Sequence, residues 1–337
     1  MRLVNYKMTL QYEGTRYRGW QKQPGVENTI QGKLETLLTR LMNTGIEVYG
    51  AGRTDAGVHA LGQVASFRVP EESLRFLAEA PPEPVRQHFR LDPFRSGSVS
   101  SGAGFSCDGS AFEGTSGMPS GTGSFIEGAS GMPPGTGSFV EGAPGMLSGA
   151  GQGGELSSRR KEKEDAVLFA ALNHYLPDDI AVVRLVRASD RFHARYLICA
   201  KWYQYRIRTN PVSDVVNRRF LWQYGRSLDT GRMREGAGLL AGRHDFASFC
   251  GLKMKKSTVR TISKIEIEQP DEDTILLNYY GDGFLNHMVR LMTGELVEAG
   301  AGRLRPEEIG GILAECRKGA ACHMAPASGL TLMQVRY

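Results

Sequence analysis

From Gly97 to Gly154 glycine and serine dominate the chain, and this stretch limits what the whole can fold into. A repeat of 14 residues runs through it: EGTSGMPSGTGSFI begins at Glu113, EGASGMPPGTGSFV at Glu127 and EGAPGMLSGAGQGG at Glu141. The period is too short for the common solenoid units, and one aromatic side chain per repeat cannot build a core. A flexible, disordered low-complexity insertion is expected, so the folded part must come from the sequence on either side. A match to the dinucleotide-binding glycine pattern, Gly149-Ala150-Gly151-Gln152-Gly153-Gly154, has no strand before it and no helix directly after it. It is discounted on that ground.

The same stretch masks the charge of the remainder. The chain carries 41 Lys and Arg against 36 Asp and Glu. Between Ser96 and Ser158 lie five of the acids and none of the bases, so elsewhere 41 bases face 31 acids. That surplus suits a polyanionic partner such as nucleic acid, although many soluble enzymes are equally basic without one. The five cysteines (Cys107, Cys199, Cys250, Cys316 and Cys322) form no CxxC pair, and Cys322-His323 lacks a second ligand pair. No metal site is expected, and a reducing compartment fits. With no apolar signal core in MRLVNYKMTLQYEG and no segment resembling a membrane span, a cytoplasmic protein is expected.

Periodicity supplies the elements. MTLQYE (8–13) alternates as a half-buried strand, followed by the turn GTRYRGWQKQPG. Asn28 is placed to cap a helix, with Gln31 in capping-box position, Ile30, Leu34, Leu37, Leu38 and Leu41 on one face, and Asn43 and Gly45 at its end. IEVYG and QVASFRV read as strands, with Ala65, Phe67 and Val69 sharing a face. Beyond the insertion come a helix in EDAVLFAALNHY, a strand in DIAVVRLVRA, and a strand through KWYQYRI. A helix capped by Asp229 or Ser227 follows, then a strand pair in TVRTISKIEIEQ and DTILLNYYGDGF. Helices in LNHMVRLMTGELVEAG and RPEEIGGILAEC and a final strand in LTLMQVRY complete the chain. Strands and helices mingle without a strict βαβ rhythm, which favours α+β.

Three groups of residues could carry chemistry. In Gly52-Arg53-Thr54-Asp55-Ala56-Gly57 a lone carboxylate follows a guanidinium by two residues. On extended backbone the two share a face, and the arginine would lower the aspartate's pKa by roughly 1–3 units and keep it ionised. Such an aspartate is a plausible nucleophile or electrostatic stabiliser; equally, an Arg–Asp pair can simply pin a turn. Pairing Asp55 with Asp229-Thr230-Gly231 as an aspartic protease fails, because Asp229 starts a helix. The second group is basic and aromatic: Arg16, Tyr17, Arg18, Trp20 and Lys22 in one turn, and Trp202, Tyr203, Tyr205, Arg206 and Arg208 in one strand. They suit phosphates and unpaired bases, or else they are core aromatics with solvated arginines between them. The third is Gly283–Arg290, where Arg290 follows an apolar helical face and, if buried, needs an anion. His287 reads as a packed helix residue.

Gly52-Arg53-Thr54-Asp55-Ala56-Gly57-Val58-His59-Ala60 resembles the active-site motif of the TruA-type tRNA pseudouridine synthases. YEGTRYRGWQKQ, ALNHYLPDDIAV, FHARY, KWYQYRI, DFASF, TVRTI, GFLNHMVRLMTG and GLTLMQVRY match further segments of that family in the same order. The resemblance implies a two-lobed α+β fold with mixed, largely antiparallel sheets meeting at a central cleft and helices on the outer faces. The lobes would be 1–70 with 166–195, and 196–337, separated by an insertion over 71–165. It implies Asp55 as the catalytic aspartate, Tyr203 stacking on the target base, Arg53 holding the flipped nucleotide and pairing with Asp55, and Arg290 in a buried pair with Asp55. Arg16, Arg18, Lys22 and Arg206 are further candidates for RNA contact. The implied partner is tRNA, modified at positions 38 to 40 of its anticodon stem-loop by a homodimer that uses no metal or organic cofactor. A catalytically inactive tRNA-binding or chaperone protein of the same fold is the alternative, and the insertion could serve an unknown partner. Two features depart from the family: the insertion itself, and Thr331 where an aromatic is common.

Overall fold

The computed structural model describes residues 2–91, 152–252 and 257–337. In chain order, β1 (Leu3–Tyr12) is followed by α1 (Ile30–Met42), β2 (Val48–Gly50), β3 (His59–Pro70), α2 (Glu71–Glu79) and α3 (Glu83–Leu91). Then come α4 (Gln152–Tyr175), β4 (Ile180–Arg187), β5 (Ala200–Arg208), β6 (Trp222–Gln223), α5 (Thr230–Leu240) and β7 (Gly242–Asp245). β8 (Val259–Asp271), β9 (Thr274–Gly281), α6 (Met288–Gly300), α7 (Pro306–Ala314) and β10 (Leu330–Arg336) finish the chain. The described residues of the main body are 2–91, 161–252 and 257–337, while 152–160, the first part of α4, belong to a second unit.

All ten strands belong to one sheet, in the order β4-β1-β3-β10-β5-β9-β8-β7, with β2 paired to β3 and β6 to β5. The fold is α+β, with a mixed and mostly antiparallel sheet. The chain's last strand closes the gap in its middle: Leu332 of β10 pairs with Ala60 of β3 in parallel and with Tyr203 of β5 in antiparallel. Ala60 and Tyr203 therefore sit two strand spacings apart, on the order of 10 Å. The strand leaving the Asp55 loop and the strand carrying Tyr203 are held in fixed register by one residue between them.

β1 shows why these segments are strands. Tyr6, Met8, Leu10 and Tyr12 are buried in alternation, and the strand pairs antiparallel with both β3 and β4. In α1, Ile30, Leu34 and Leu38 form the buried stripe and Asn43 ends the helix in the left-handed conformation, φ 50°. Its N-cap is Thr29 rather than Asn28, with the Thr29 hydroxyl accepting from the Gly32 backbone at 3.2 Å. Asp229, not Ser227, caps α5.

The span between Pro70 and Ala166 is not uniformly low in structure. β3 runs straight into α2, which buries Leu74, Leu77 and Ala78, and Val85 of α3 joins the same core. At the other end α4 starts at Gln152, inside the glycine-rich tract, and buries Val167, Leu168, Ala171 and Leu172. The repeats up to residue 151 lie outside the described residues.

Candidate active site

Asp55 lies in the loop between β2 and β3, which is seated on the turn that follows β1. Trp20, 1% exposed, lies under it, and a Cβ at Gly50 would come within 2.5 Å of the indole. The Trp20 backbone N–H donates to the Thr54 carbonyl at 3.0 Å, and the Tyr12 and Thr54 hydroxyls share a hydrogen bond of 2.8 Å. Beyond Asp55 the chain turns at Gly57 with φ 80°, where the Val58 N–H returns to the Asp55 carbonyl. So Trp20 and Tyr17 of the basic, aromatic turn are core residues supporting the loop.

Arg53 does not face Asp55. It is exposed, and its Nε donates to Gln21 Oε1 at 3.0 Å. The alternation argument needs strand backbone, whereas residues 53–55 belong to no strand and lie between a bend at 51–52 and a turn at 56–57. The groups that do meet the carboxylate come from the other end of the chain. Arg290 Nη1 stands 3.7 Å from Asp55 Oδ2, His287 Nε2 stands 3.7 Å from the same oxygen, and Asn286 Nδ2 donates to Oδ1 at 3.2 Å. His287 caps α6 in the left-handed conformation, φ 61°, which brings Asn286 and His287 to the same carboxylate as Arg290. The expected Asp55–Arg290 pair is therefore present, with side chains 19% and 12% exposed. The positive end of α6 lies at this carboxylate, a favourable place for an anion.

The electrostatics differ from expectation. Burial raises the Asp55 pKa, and the charges of His287 and Arg290 oppose that rise without cancelling it. Arg53 takes no part. The site holds a carboxylate that is costly to ionise, a cost that His287 and Arg290 reduce.

On β5, Tyr203 is 6% exposed, with its ring edge-on to Phe284 at 5.1 Å between centroids. Burial pushes its hydroxyl upward, and the charges of Tyr12 and Asp55 add to the effect, so the two candidate residues are electrostatically coupled. Lys201, two residues earlier on the same strand, was not anticipated. Its Nζ donates to the Ala51 carbonyl at 3.1 Å and occupies the space that a Cβ on Gly52 would need. Burial, helped by Arg195 and Arg260, lowers its pKa to about 8. Of the remaining RNA candidates, Arg16 pairs with Asp179 at 2.6 Å and Lys22 with Glu35 at 3.1 Å, while Arg18 is exposed and Arg206 half-buried.

Glu295, Cys322 and His323 bring potential metal-ligating atoms within 4.8 Å of one another. Glu295, fully buried, already accepts from the backbone N–H groups of Cys322 and His323 at 2.8 and 3.0 Å and meets His323 Nδ1 at 2.9 Å. Those bonds make it a clamp on the loop that leads to Ala325, whose carbonyl accepts from Arg290 Nε at 2.8 Å.

A family model described as tRNA pseudouridine synthase matches residues 8–86 and 237–337, which include Asp55 and the Asn286–Arg290 segment. The chain belongs to this family. Among its relatives, a "tRNA pseudouridine synthase A" of Moorella thermoacetica is 34% identical over 98% of both chains. One of Bacillus sp. (strain KSM-64) is 31% identical over 99% of both, as is a "tRNA pseudouridine synthase A 1" of Clostridium tetani. Members of the synthase family isomerise uridine in tRNA, and the protein is an isomerase of that class. Among the described residues no helix is long and apolar enough to cross a membrane.

Proposed function

We propose that Asp55 is the catalytic aspartate of a synthase acting on the anticodon stem-loop of tRNA, at positions 38 to 40. The observation that carries this reading is the convergence of Asn286, His287 and Arg290 on a single half-buried carboxylate, in a loop open enough to leave Asp55 19% exposed. The reaction breaks the C1′–N1 bond of uridine, turns the uracil, joins C5 to C1′, releases the C5 proton to solvent and protonates N1, so one proton lost matches one gained and no oxidant or reductant is needed. An ionised Asp55 supplies the negative group that attacks the nucleotide or stabilises the ribose while the base is free. Because burial resists that ionisation, the carboxylate is a stronger base and nucleophile than one in water.

A base within a stem must first leave it, at a cost of a few kcal/mol. Arg53, exposed and without a carboxylate partner among the described residues, is available to fill the vacated stack or hold a phosphate. Tyr203 takes the extruded uracil against its ring, worth roughly 1–3 kcal/mol. Arg18 and Arg206 extend the grip on the backbone, while Arg16 and Lys22 must share their charge with Asp179 and Glu35. The protein works in the cytoplasm as a homodimer, with lobes 1–70 plus 166–195 and 196–337. The repeats offer an arm for a separate partner.

The test is tritium release from 5-tritiated uridine in tRNA, with pseudouridine mapping in cells that have or lack the gene. Asp55→Asn should abolish release while retaining tRNA binding. Turnover by Asp55→Asn would remove the aspartate from the mechanism, and an unchanged map at positions 38 to 40 would remove the assigned site.

A further inference from the structure

Beside the Asp55 loop lies a set of aromatic rings that the proposed mechanism leaves unused. Tyr49 stands on the outer face of β2, and His193 and Tyr196 belong to the turn after β4. Their rings form a stepped column: Tyr49 to His193 is 4.8 Å between centroids with 43° between planes, and His193 to Tyr196 is 4.5 Å with 37°. Tyr49 is 42% exposed and Tyr196 63%. Large rings so open to water carry no packing duty that would account for them.

The turn is rigidly placed. Ala194 is held from both sides, its N–H donating to Ser66 Oγ at 3.0 Å and its carbonyl accepting from the Tyr337 hydroxyl at 2.5 Å. Ser66 is the register partner of Tyr49, so the same β2–β3 pair carries one ring and anchors the turn bearing the other two. Phe192 packs inward against Tyr337 at 5.2 Å, which leaves His193 and Tyr196 outside. His193 Nδ1 accepts from the Arg195 N–H at 3.1 Å, and burial with the charges of Arg195 and Arg68 lowers the pKa of the imidazole, favouring its uncharged form.

The surroundings are cationic. Arg195 has no carboxylate partner among the described residues, and Arg68 spends one nitrogen on the Asp190 carbonyl at 2.6 Å. Glu47, bound by the Tyr49 hydroxyl, and Glu35, shared with Lys22, are the acids that act on Tyr49. The charge of Arg195 also reaches Lys201, which touches Ala51 and Gly52 at the entrance to the Asp55 loop.

We propose that Tyr49, His193 and Tyr196 form a stacking step for an unpaired nucleotide of the tRNA, next to the uridine that is isomerised, with Arg195 and Arg68 on its phosphates. Rings accept any base by its face, and guanidinium groups supply the charge, so the step grips RNA without reading sequence. The proposal rests on the reading of this protein as a tRNA-modifying enzyme.

The test titrates labelled full-length tRNA into the full chain carrying Asp55→Asn, so that binding is read without turnover. Adding Tyr196→Ala or His193→Ala should raise Kd about tenfold. Tyr196→Phe should bind as the parent does, because it keeps the ring. Arg195→Gln should weaken binding and reduce the slope of log K against log salt by about one. Unchanged Kd in both alanine variants, or equal loss in Tyr196→Phe and Tyr196→Ala, overturns the step. A fall in oligomer mass for Tyr196→Ala with RNA affinity retained assigns the rings to a contact between copies and also overturns it. Tritium release by the chain with Asp55 intact is measured in parallel, and its absence would count against the enzyme reading instead.

Discussion

Arg290 is held to Asp55 by two attachments that do different jobs. Its Nη1 faces Oδ2 of the carboxylate at 3.7 Å, while its Nε donates to the Ala325 carbonyl at 2.8 Å. The Ala325 N–H returns to the Arg290 carbonyl at 3.1 Å, and buried Glu295 clamps the loop just before Ala325. The guanidinium is therefore aimed by the protein, and the carboxylate it meets need not order it.

Arg290→Met removes the guanidinium that, beside His287, opposes the burial of the Asp55 charge, so the Asp55 pKa should rise further above the usual carboxylate value. Activity that needs ionised Asp55 should then appear at higher pH than in the parent. Losing one partner of a buried pair costs about 3–5 kcal/mol, and this incompletely buried one should fall at or below the lower end. The pH–rate profile and denaturant unfolding read the two effects. A profile that superimposes on the parent's would show that Arg290 does not act on Asp55.

Asp55→Asn separates stability from activity. The folded protein holds the Asp55 proton more tightly than the unfolded chain does, so stability present at low pH is lost as pH rises through the folded pKa. Asparagine has no charge to bury. The variant should unfold at higher denaturant than the parent at pH 7, and this advantage should vanish below about pH 3.9, where the unfolded carboxyl is also protonated. Isomerisation should fall by roughly 10⁴-fold or more. A variant less stable than the parent at neutral pH would mean that the three facing groups outweigh desolvation.

Much of this was legible in the sequence because the signals are local. The β1 alternation, the α1 stripe and the Asp229 cap depend on neighbours a few residues away; the α1 and α5 elements formed where their patterns lay, while β1 begins at Leu3, five residues before the stretch that showed alternation. The Arg290–Asp55 pair was reachable only through the resemblance, since no periodicity connects positions so far apart. Arg53 misled because an i, i+2 argument was applied to residues that belong to no strand, in a loop that bends before them and turns after them. Asn286 and His287 were missed as neighbours of Asp55 because a left-handed residue before α6 redirects them, and no side-chain pattern announces it. Lys201 could have been suspected: two residues before Tyr203 on one strand, it shares that residue's face.

Lys201→Met tests the buried amine. The folded pKa lies at about 8, below the unfolded value of about 10.4, so the unfolded chain binds more protons between those limits. Parent stability should accordingly rise with pH across that window, and that of Lys201→Met should not follow it. At pH 7 the variant should be the more stable of the two, because it no longer buries a charge, and the difference should close above about pH 10.5. Denaturation midpoints measured at half-unit steps decide it. Parallel curves for the two proteins would mean that the amine titrates as it does in water.

Gly57→Ala probes the turn that presents Asp55. At φ 80° an alanine pays about 1–2 kcal/mol for its left-handed backbone, and its Cβ would meet Ala327 Cβ at 3.1 Å. If the turn keeps its shape, the whole cost appears as lost stability with activity retained. If the backbone relaxes instead, the Val58 N–H leaves the Asp55 carbonyl and the Gly57 N–H leaves the Tyr17 carbonyl, so the carboxylate shifts against Asn286 and Arg290. Fixed at two points to the Tyr12–Trp20 support, the turn should keep its shape, so the expected result is the full stability loss with kcat reduced less than tenfold. Gly45→Ala is the control, being in open space without positive φ, and should be neutral or stabilising by up to about 1 kcal/mol. Wild-type stability with a large loss of kcat would show that the turn yields, and that the α6 side alone does not hold Asp55 in place.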